Sequence, residues 1–267
     1  MSEALLSARD CCFSYGEGAF GLAGVSLDVG AGEVLGIVGP NGSGKSTLLR
    51  LMAGLLRPSS GGVRMGGAEV GSLSRRALAR RVAFLPQQAE ASFRFRVCEV
   101  VAMGRFPHLG TFGFLGARDV EIVDRAMQET ACSALADRDF STLSGGEKQR
   151  VLIAAILAQE PRAMLLDEPT AALDIHHRSD VLDLLWRLSR KQIGVVVVTH
   201  DLNAAGQFCD RLVLLADGRV ARAGGPADVL EAQLLSEVYG AEARVFPNPV
   251  TGTPLVIVPG KAAHDAG

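Results

Sequence analysis

Hydrophobic and polar positions change period several times along this chain. Residues 1–30 read as short strands: Val25-Ser26-Leu27-Asp28-Val29 alternates apolar with polar, and Gly16, Gly18, Gly21, Gly24 and Gly30 punctuate the pattern. Val34 to Val38 is an apolar run broken only by Gly36, the mark of a strand buried on both faces. A Gly-rich turn follows, then a helical pattern from Ser46 to Ala53, closed by Gly54 and Pro58. Arg75 to Arg81 predicts a helix and Val82 to Leu85 a strand. Gln87 to Leu143 is mostly helical, with a loop-like interlude from Gly104 to Gly116. Beyond it come a helix (Glu147 to Gln159), a strand (Ala163 to Leu166), a helix (Ser179 to Leu188), a strand (Val195 to Val198), a helix near Leu202 to Cys209 and a strand (Arg211 to Ala216). Asp217-Gly218 is a two-residue hairpin signal leading into Arg219-Val220-Ala221. From Pro226 the pattern predicts a short helix and a small β segment.

Alternating strands and helices imply a parallel α/β core. The expected organisation is a core of residues 1–86 and 159–225, an inserted helical subdomain of 87–158, and a tail of 226–267. A length of 267 residues, at about 150 per domain, agrees with one large or two small units. The 48% hydrophobic content raises the question of membrane insertion. The longest apolar run, Val151 to Ala158, is far short of the roughly 18 residues a spanning helix needs. The start of the chain, with Glu3, lacks the basic-then-apolar pattern of a secretory signal. Basic residues number 27 and acidic ones 29, and the balance argues against a nucleic-acid partner. The basic run Arg75, Arg76, Arg80, Arg81 is read as a solvated helix face rather than a lipid or nucleic-acid contact. The five cysteines are odd in number and form no Cys-x-x-Cys pair, which fits a reducing compartment.

The strongest chemical signal is Gly39-Pro40-Asn41-Gly42-Ser43-Gly44-Lys45-Ser46, which fits the phosphate-loop pattern of Gly, four residues, Gly-Lys-Ser. Its context is a buried strand before and a helix after. Glycines let the backbone curl so that N–H groups point at phosphate oxygens, and the helix N-terminus adds partial positive charge. Lys45 would supply a full charge to the β- and γ-phosphates, and the Ser46 hydroxyl would ligate Mg²⁺. Met164-Leu165-Leu166-Asp167-Glu168 is a buried strand ending in adjacent carboxylates. Alternation along a strand would part them, but a turn at its end can bring both to one opening. Asp167 would hold Mg²⁺ through water and Glu168 would polarise the attacking water. His200 follows the strand Val195-Val196-Val197-Val198-Thr199, at the end where parallel strands open onto a site. Far along the chain, Ser144 and Glu147 make a capping box for a second helix, and Gly145 and Gly146 leave its first N–H groups exposed as another anion site.

Together these segments closely resemble the ATP-binding cassette family, over nearly the whole chain. The matches are the phosphate loop at 39–47, with Thr47 its last residue; Gln87; the signature Leu143-Ser144-Gly145-Gly146-Glu147-Lys148-Gln149-Arg150; the carboxylate strand at 163–168; Ala171-Ala172-Leu173-Asp174; and His200. The resemblance implies a P-loop NTPase fold of the ABC ATPase type, with an N-terminal antiparallel β subdomain and an inserted α-helical subdomain. It implies a head-to-tail dimer holding two ATP molecules with Mg²⁺, each between the phosphate loop of one copy and the signature of the other. It assigns Tyr15 to adenine stacking and Gln87 to Mg²⁺ and the attacking water, with Gln88 as its rival. It makes Glu168, His200 and Gln87 the catalytic set, and Asp174 the group that communicates across the dimer. Ala171-Ala172 stand where many relatives begin with serine.

Met103-Gly104-Arg105-Phe106-Pro107-His108 resembles the ATPase subunits of bacterial importers for iron chelates, haem and cobalamin, as do Asp174-Ile175-His176-His177-Arg178 and His200-Asp201-Leu202-Asn203-Ala204-Ala205. In that branch the helical region docks the membrane permease subunits. The implied protein is an ATP hydrolase, peripheral at the cytoplasmic face of the inner membrane. Its partners would be a second copy of itself, the permease subunits and, indirectly, a substrate-binding protein. An exporter ATPase and a DNA-repair type ATPase are the competing readings. The latter usually carries a coiled-coil or zinc-bearing insertion, and here the interval between phosphate loop and signature lacks heptads and Cys pairs. His176 and His177 are read as a solvated helix start in preference to a metal site.

Overall fold

The computed structural model describes residues 4–16, 21–87, 94–110, 113–171 and 173–259. The chain begins with β1 (Leu6–Ser14), β2 (Gly21–Val29), β3 (Val34–Val38), α1 (Lys45–Met52), β4 (Ser60–Met65), β5 (Ala68–Glu69), α2 (Arg75–Ala79) and β6 (Val82–Leu85). The helices α3 (Val97–Ala102), α4 (Ala117–Glu129) and α5 (Gly145–Ala158) follow. The chain then returns through β7 (Ala163–Asp167), α6 (Ile175–Ser189), β8 (Gly194–Val198), α7 (Leu202–Phe208), β9 (Arg211–Ala216) and β10 (Arg219–Gly224). It ends in α8 (Pro226–Val229), α9 (Ala232–Tyr239), β11 (Arg244–Pro247) and β12 (Pro254–Ile257).

The main sheet runs β10-β9-β3-β8-β7-β6, parallel except for the edge strand β10. Its central strands are apolar up to their C-terminal ends because both faces are covered. Leu35, Ile37, Leu165, Val196 and Val198 pack with Leu48 and Leu49 of α1 on one face. Val34, Met164, Leu166, Val195 and Val197 pack with Leu184, Leu185 and Leu188 of α6 on the other. Successive strand residues point to opposite faces, so this division follows from the period of two. Asp217 (φ 47°) and Gly218 (φ 73°) make the expected tight hairpin from β9 to β10.

A second, antiparallel sheet runs β2-β1-β4-β5. Its third and fourth strands carry little sequence signal, because Gly61 and Gly62 interrupt the apolar alternation at the start of β4. Two helices begin earlier than their apolar periodicity suggests. α5 starts at Gly145 and α6 at Ile175, because Ser144 and Asp174 cap them with their side chains. The tail contains two helices rather than one. Its Val229, Leu230, Leu235 and Val256 pack on Val38, Ala205, Leu212 and Leu214 of the core. Asn203 of α7 fastens β12 by exchanging hydrogen bonds with Val256, 3.1 Å to its carbonyl and 2.7 Å from its N–H. Among the described residues, no helix is long and apolar enough to cross a membrane.

Helices α3, α4 and α5 enclose their own apolar cluster, including Val97, Val101, Ile122, Val123, Val151 and Ala154. Arg105 pins its edge. Its side chain is only 4% exposed. Its Nε donates to Asp119 at 2.9 Å, and its Nη1 donates to the Ala158 carbonyl at 2.7 Å and to Glu160 at 2.9 Å. Arg76 and Arg80 both donate to the Pro107 carbonyl at 2.8 Å, so the basic run is not simply a solvated face. Phe106, by contrast, is exposed. Removing one member of a buried ionic cluster strands the others. Arg105→Ala is therefore expected to cost about 3 kcal/mol, near the low end of such losses because Glu160 keeps some solvent. Urea unfolding of the two proteins checks this, and an unchanged midpoint would contradict it.

Candidate functional site

The phosphate loop starts where β3 leaves the sheet. Gly39 takes φ 148°, and a Cβ on it would lie 2.0 Å from the Leu215 carbonyl oxygen. Only glycine lets the loop begin this close to β9. Gly42 and Gly44 also have positive φ, and Gly44 caps α1. The loop is tied by Ser43 N–H to the Pro40 carbonyl at 3.3 Å, and the Gly218 N–H reaches the Ser43 carbonyl at 3.3 Å. Lys45 is buried, and its ammonium donates to the carbonyls of Gly39 and Pro40 at 2.8 Å each. Burial pulls its pKa below the ordinary lysine range, while the carboxylates of Glu168 and Asp167 oppose that shift.

β7 carries Asp167 to the same edge. The Ser46 hydroxyl donates to Asp167 Oδ1 at 3.0 Å. Burial pushes this carboxyl up, and the Ser46 bond partly offsets it. Glu168 then turns left-handed, with φ 50°, an uncommon conformation for a residue with a side chain. Its N–H still bonds the Val198 carbonyl at 3.0 Å. This turn ends the strand's alternation and brings the Glu168 carboxylate to the cleft, whereas Asp167 stays buried on Ser46, so the two carboxylates do not both face the opening. Gln87 donates to Glu168 Oε2 at 2.9 Å, and His200 Nε2 lies 2.5 Å from Oε1. Asn41, Gly42, Gly44, Lys45, Ser46, Thr47, Gln87, Glu168 and His200 line one cleft of about 790 Å³.

Tyr15 stands at the rim. Its hydroxyl is 3.3 Å from Thr47 Oγ1, Phe13 meets its ring edge-on at 4.8 Å, and the residue is 60% exposed. An exposed aromatic face beside a phosphate loop can stack on a nucleobase. Gln88 and Ala172 lie outside the described residues. Tyr239 of α9 has no local sequence signal but reaches the same loop. Its hydroxyl oxygen is buried beside the Gly39 N–H without closing a hydrogen bond, and burial pushes the phenol up to about 12.

The signature does not line this cleft. Leu143 is buried in the helical cluster. Ser144 and Glu147 cap α5 reciprocally, with Glu147 N–H to Ser144 Oγ at 3.3 Å and Ser144 N–H to Glu147 Oε2 at 2.8 Å. Those bonds hold the Glu147 carboxyl below the usual carboxylate range. Gly145 and Gly146 open the helix, where N–H groups lack intrahelical partners. Asp174 caps α6 from a largely exposed position. Among the described residues, no cluster of three or more His, Cys, Asp and Glu side chains could hold a metal. Any cation at the cleft must therefore draw on hydroxyl, amide or ligand oxygens besides Asp167 and Glu168.

Known proteins share both sequence and fold with this chain. The chain is 46% identical over 233 residues to the cobalamin import ATP-binding protein BtuD of Halobacterium salinarum. That match covers 87% of the chain, and the chain spans 58% of that relative's length. It is 39% identical to the ferric enterobactin transport ATP-binding protein FepC of Escherichia coli, over 98% of each. A solved structure described as a metal-chelate type ABC transporter in an inward-facing conformation superposes with a TM-score of 0.85. It is 28% identical, with 98% of this chain and 100% of that one covered. The family profile described as ABC transporter matches residues 22–171. With the phosphate loop, the paired carboxylates and the capped signature helix all present in that frame, the chain belongs to the ABC transporter family and is one of its ATP-binding cassettes.

Proposed function

We propose that this chain is the ATP-hydrolysing subunit of an importer and that it works as a head-to-tail dimer. One observation carries the reading: two anion-seeking surfaces in one chain, the phosphate loop and the α5 N-terminus, do not share a cleft. A second copy turned end to end would bring the signature of each to the phosphate loop of the other. The helical insertion, residues 87–158 in this proposal, presents that signature.

Within each composite site, Lys45 and the loop N–H groups hold the β- and γ-phosphates, and Tyr15 stacks on the base. Phosphoryl transfer depends on positioning and charge stabilisation more than on covalent help from the protein. Glu168 orients and polarises the water whose oxygen attacks the γ-phosphorus as the bond to the bridging oxygen of ADP breaks. Gln87 and His200 hold its carboxylate from either side. The Gln87 amide donates to Glu168 through Nε2, and its carbonyl oxygen is an acceptor not used by that bond. That oxygen, the Ser46 hydroxyl and the buried Asp167 carboxylate form an all-oxygen donor set that suits Mg²⁺. When bound, the ion neutralises charge on the phosphate oxygens. Asp174, exposed at the start of α6, faces the partner.

Import is favoured over export by the Met103–His108 segment and by relatives named for import of cobalamin and transport of ferric enterobactin. The cargo class is an iron chelate, haem or cobalamin. The chain sits at the cytoplasmic face of the membrane on permease subunits, with a substrate-binding protein on the other side. Uptake of labelled candidate cargoes by vesicles holding the chain with its cognate permease tests this, and outward movement of cargo would overturn it.

Two substitutions test the chemistry. Glu168→Gln is expected to retain ATP binding, lose about 100-fold or more in hydrolysis, and accumulate as an ATP-held dimer on size exclusion. Wild-type turnover would remove Glu168 from its role. Ser144→Arg in one copy of a mixed dimer is expected to disable the site formed with the partner's phosphate loop. Unchanged steady-state ATPase would contradict the shared site.

A further inference from the structure

Two adjacent residues in the first turn of α6 reach to different parts of the machinery. The His177 N–H donates to Asp174 Oδ1 at 2.9 Å, and its ring Nδ1 lies 2.8 and 2.9 Å from the two carboxylate oxygens. These bonds hold the Asp174 carboxyl below the ordinary carboxylate range. An ionised carboxylate only accepts, so Nδ1 carries the ring proton. The other side of the same ring abuts the signature. A Cβ placed on Gly146 would lie 2.3 Å from His177 Cδ2 and 2.6 Å from Cγ. The imidazole fills the space that any larger residue at 146 would need. A solvated helix start therefore describes His176, whose side chain is 83% exposed, but not His177 at 33%.

Arg178 reaches the other way. Its Nη1 donates to Asp201 Oδ2 at 2.7 Å. Asp201 accepts from Ala204 N–H at 2.9 Å and so caps α7, directly after His200. His200 in turn meets Glu168. One helical turn thus contacts the signature helix through His177 and the corner behind Glu168 through Arg178.

We propose that His177 and Arg178 are positioning residues that link the two half-sites of one chain, His177 setting the signature glycine and Asp174, and Arg178 setting the His200 corner. The inference rests on the head-to-tail dimer proposed above. Neither side chain lines the phosphate cleft. The first turn of α6 is short and hydrogen-bonded, so a shift at Gly146 moves the anchor of Asp201 with it. Because the signature of one copy serves the ATP of the other, the two residues act on different sites. His177 acts on the partner's site, and Arg178 acts on its own.

The test uses two full-length copies joined by a flexible linker, with Glu168→Gln in the second copy. One hydrolytic site remains, built from the first copy's phosphate loop and the second copy's signature. His177→Ala in the second copy is expected to lower kcat about fivefold or more, with the KM for ATP changed less than about twofold. The same substitution in the first copy acts on the silenced site and is expected to change kcat by less than about twofold. Arg178→Ala is expected to show the reverse preference. His177→Asn can supply an N–H to Asp174 without the ring. It is expected to recover part of the activity while its residual loss stays confined to the second copy. This milder variant decides the matter if His177→Ala compromises folding. Equal losses from either copy with both His177 variants, or an Arg178→Ala loss arising from the second copy, would overturn the proposal. Ser144→Arg serves as the reference. If it acts only from the second copy, the dimer stands and a His177 failure counts against the positioning role alone. If it acts equally from both, the dimer is wrong and the inference falls with it.

Discussion

Parallel pairing of β3, β8 and β7 is the constraint on which the site depends. Strands that run the same way end at the same edge, so the phosphate loop, His200 and the Asp167-Glu168 pair emerge side by side although they lie far apart in sequence. Register completes the arrangement. The Glu168 N–H still bonds the Val198 carbonyl while its backbone turns left-handed. The strained turn is held by the last rung of the sheet, and it sends the Glu168 carboxylate into the cleft while Asp167 stays buried on Ser46. The cost of burying Lys45 and Asp167 is met locally, by loop carbonyls for the one and by Ser46 for the other.

The helical insertion obeys a different logic. It has its own apolar cluster, and a buried arginine fixes the Met103–Arg105 turn to α4 and to the end of α5. Its signature helix is capped by its own side chains, and the signature residues do not line the chain's phosphate cleft. In the dimer proposed above, a second copy completes this helix start. The turn that begins α6 then matters, because it is where the signature, the exposed Asp174 and the corner behind Glu168 meet within one chain.

Local chemistry decides how much of this was legible in advance. A phosphate loop is a contiguous backbone conformation, so Gly39 to Ser46 declare it by their own spacing. The capping box at Ser144 and Glu147 and the Asp217-Gly218 hairpin are equally short-range, and each formed as expected. Apolar periodicity was less informative at helix starts. Polar first turns hid the beginnings of α5 and α6, where capping side chains rather than buried faces set the boundary. β4 was hidden by Gly61 and Gly62, which lack the side chains that make alternation visible.

The amino-acid sequence by itself determined the strand–loop–helix around Lys45, the apolar strands that must lie in a doubly covered sheet, and the residue types that phosphate chemistry requires. These follow from interactions between near neighbours and from the two-residue period of strands. Tertiary structure decided what meets across the chain. It turned Arg105 inward to the carboxylates of Asp119 in α4 and Glu160 just beyond α5, brought Tyr239 of α9 up to Gly39, and set the His177 ring against Gly146. Such contacts depend on packing between distant segments, and no spacing along the chain encodes a distance between elements that only the folded sheet and its flanking helices bring together.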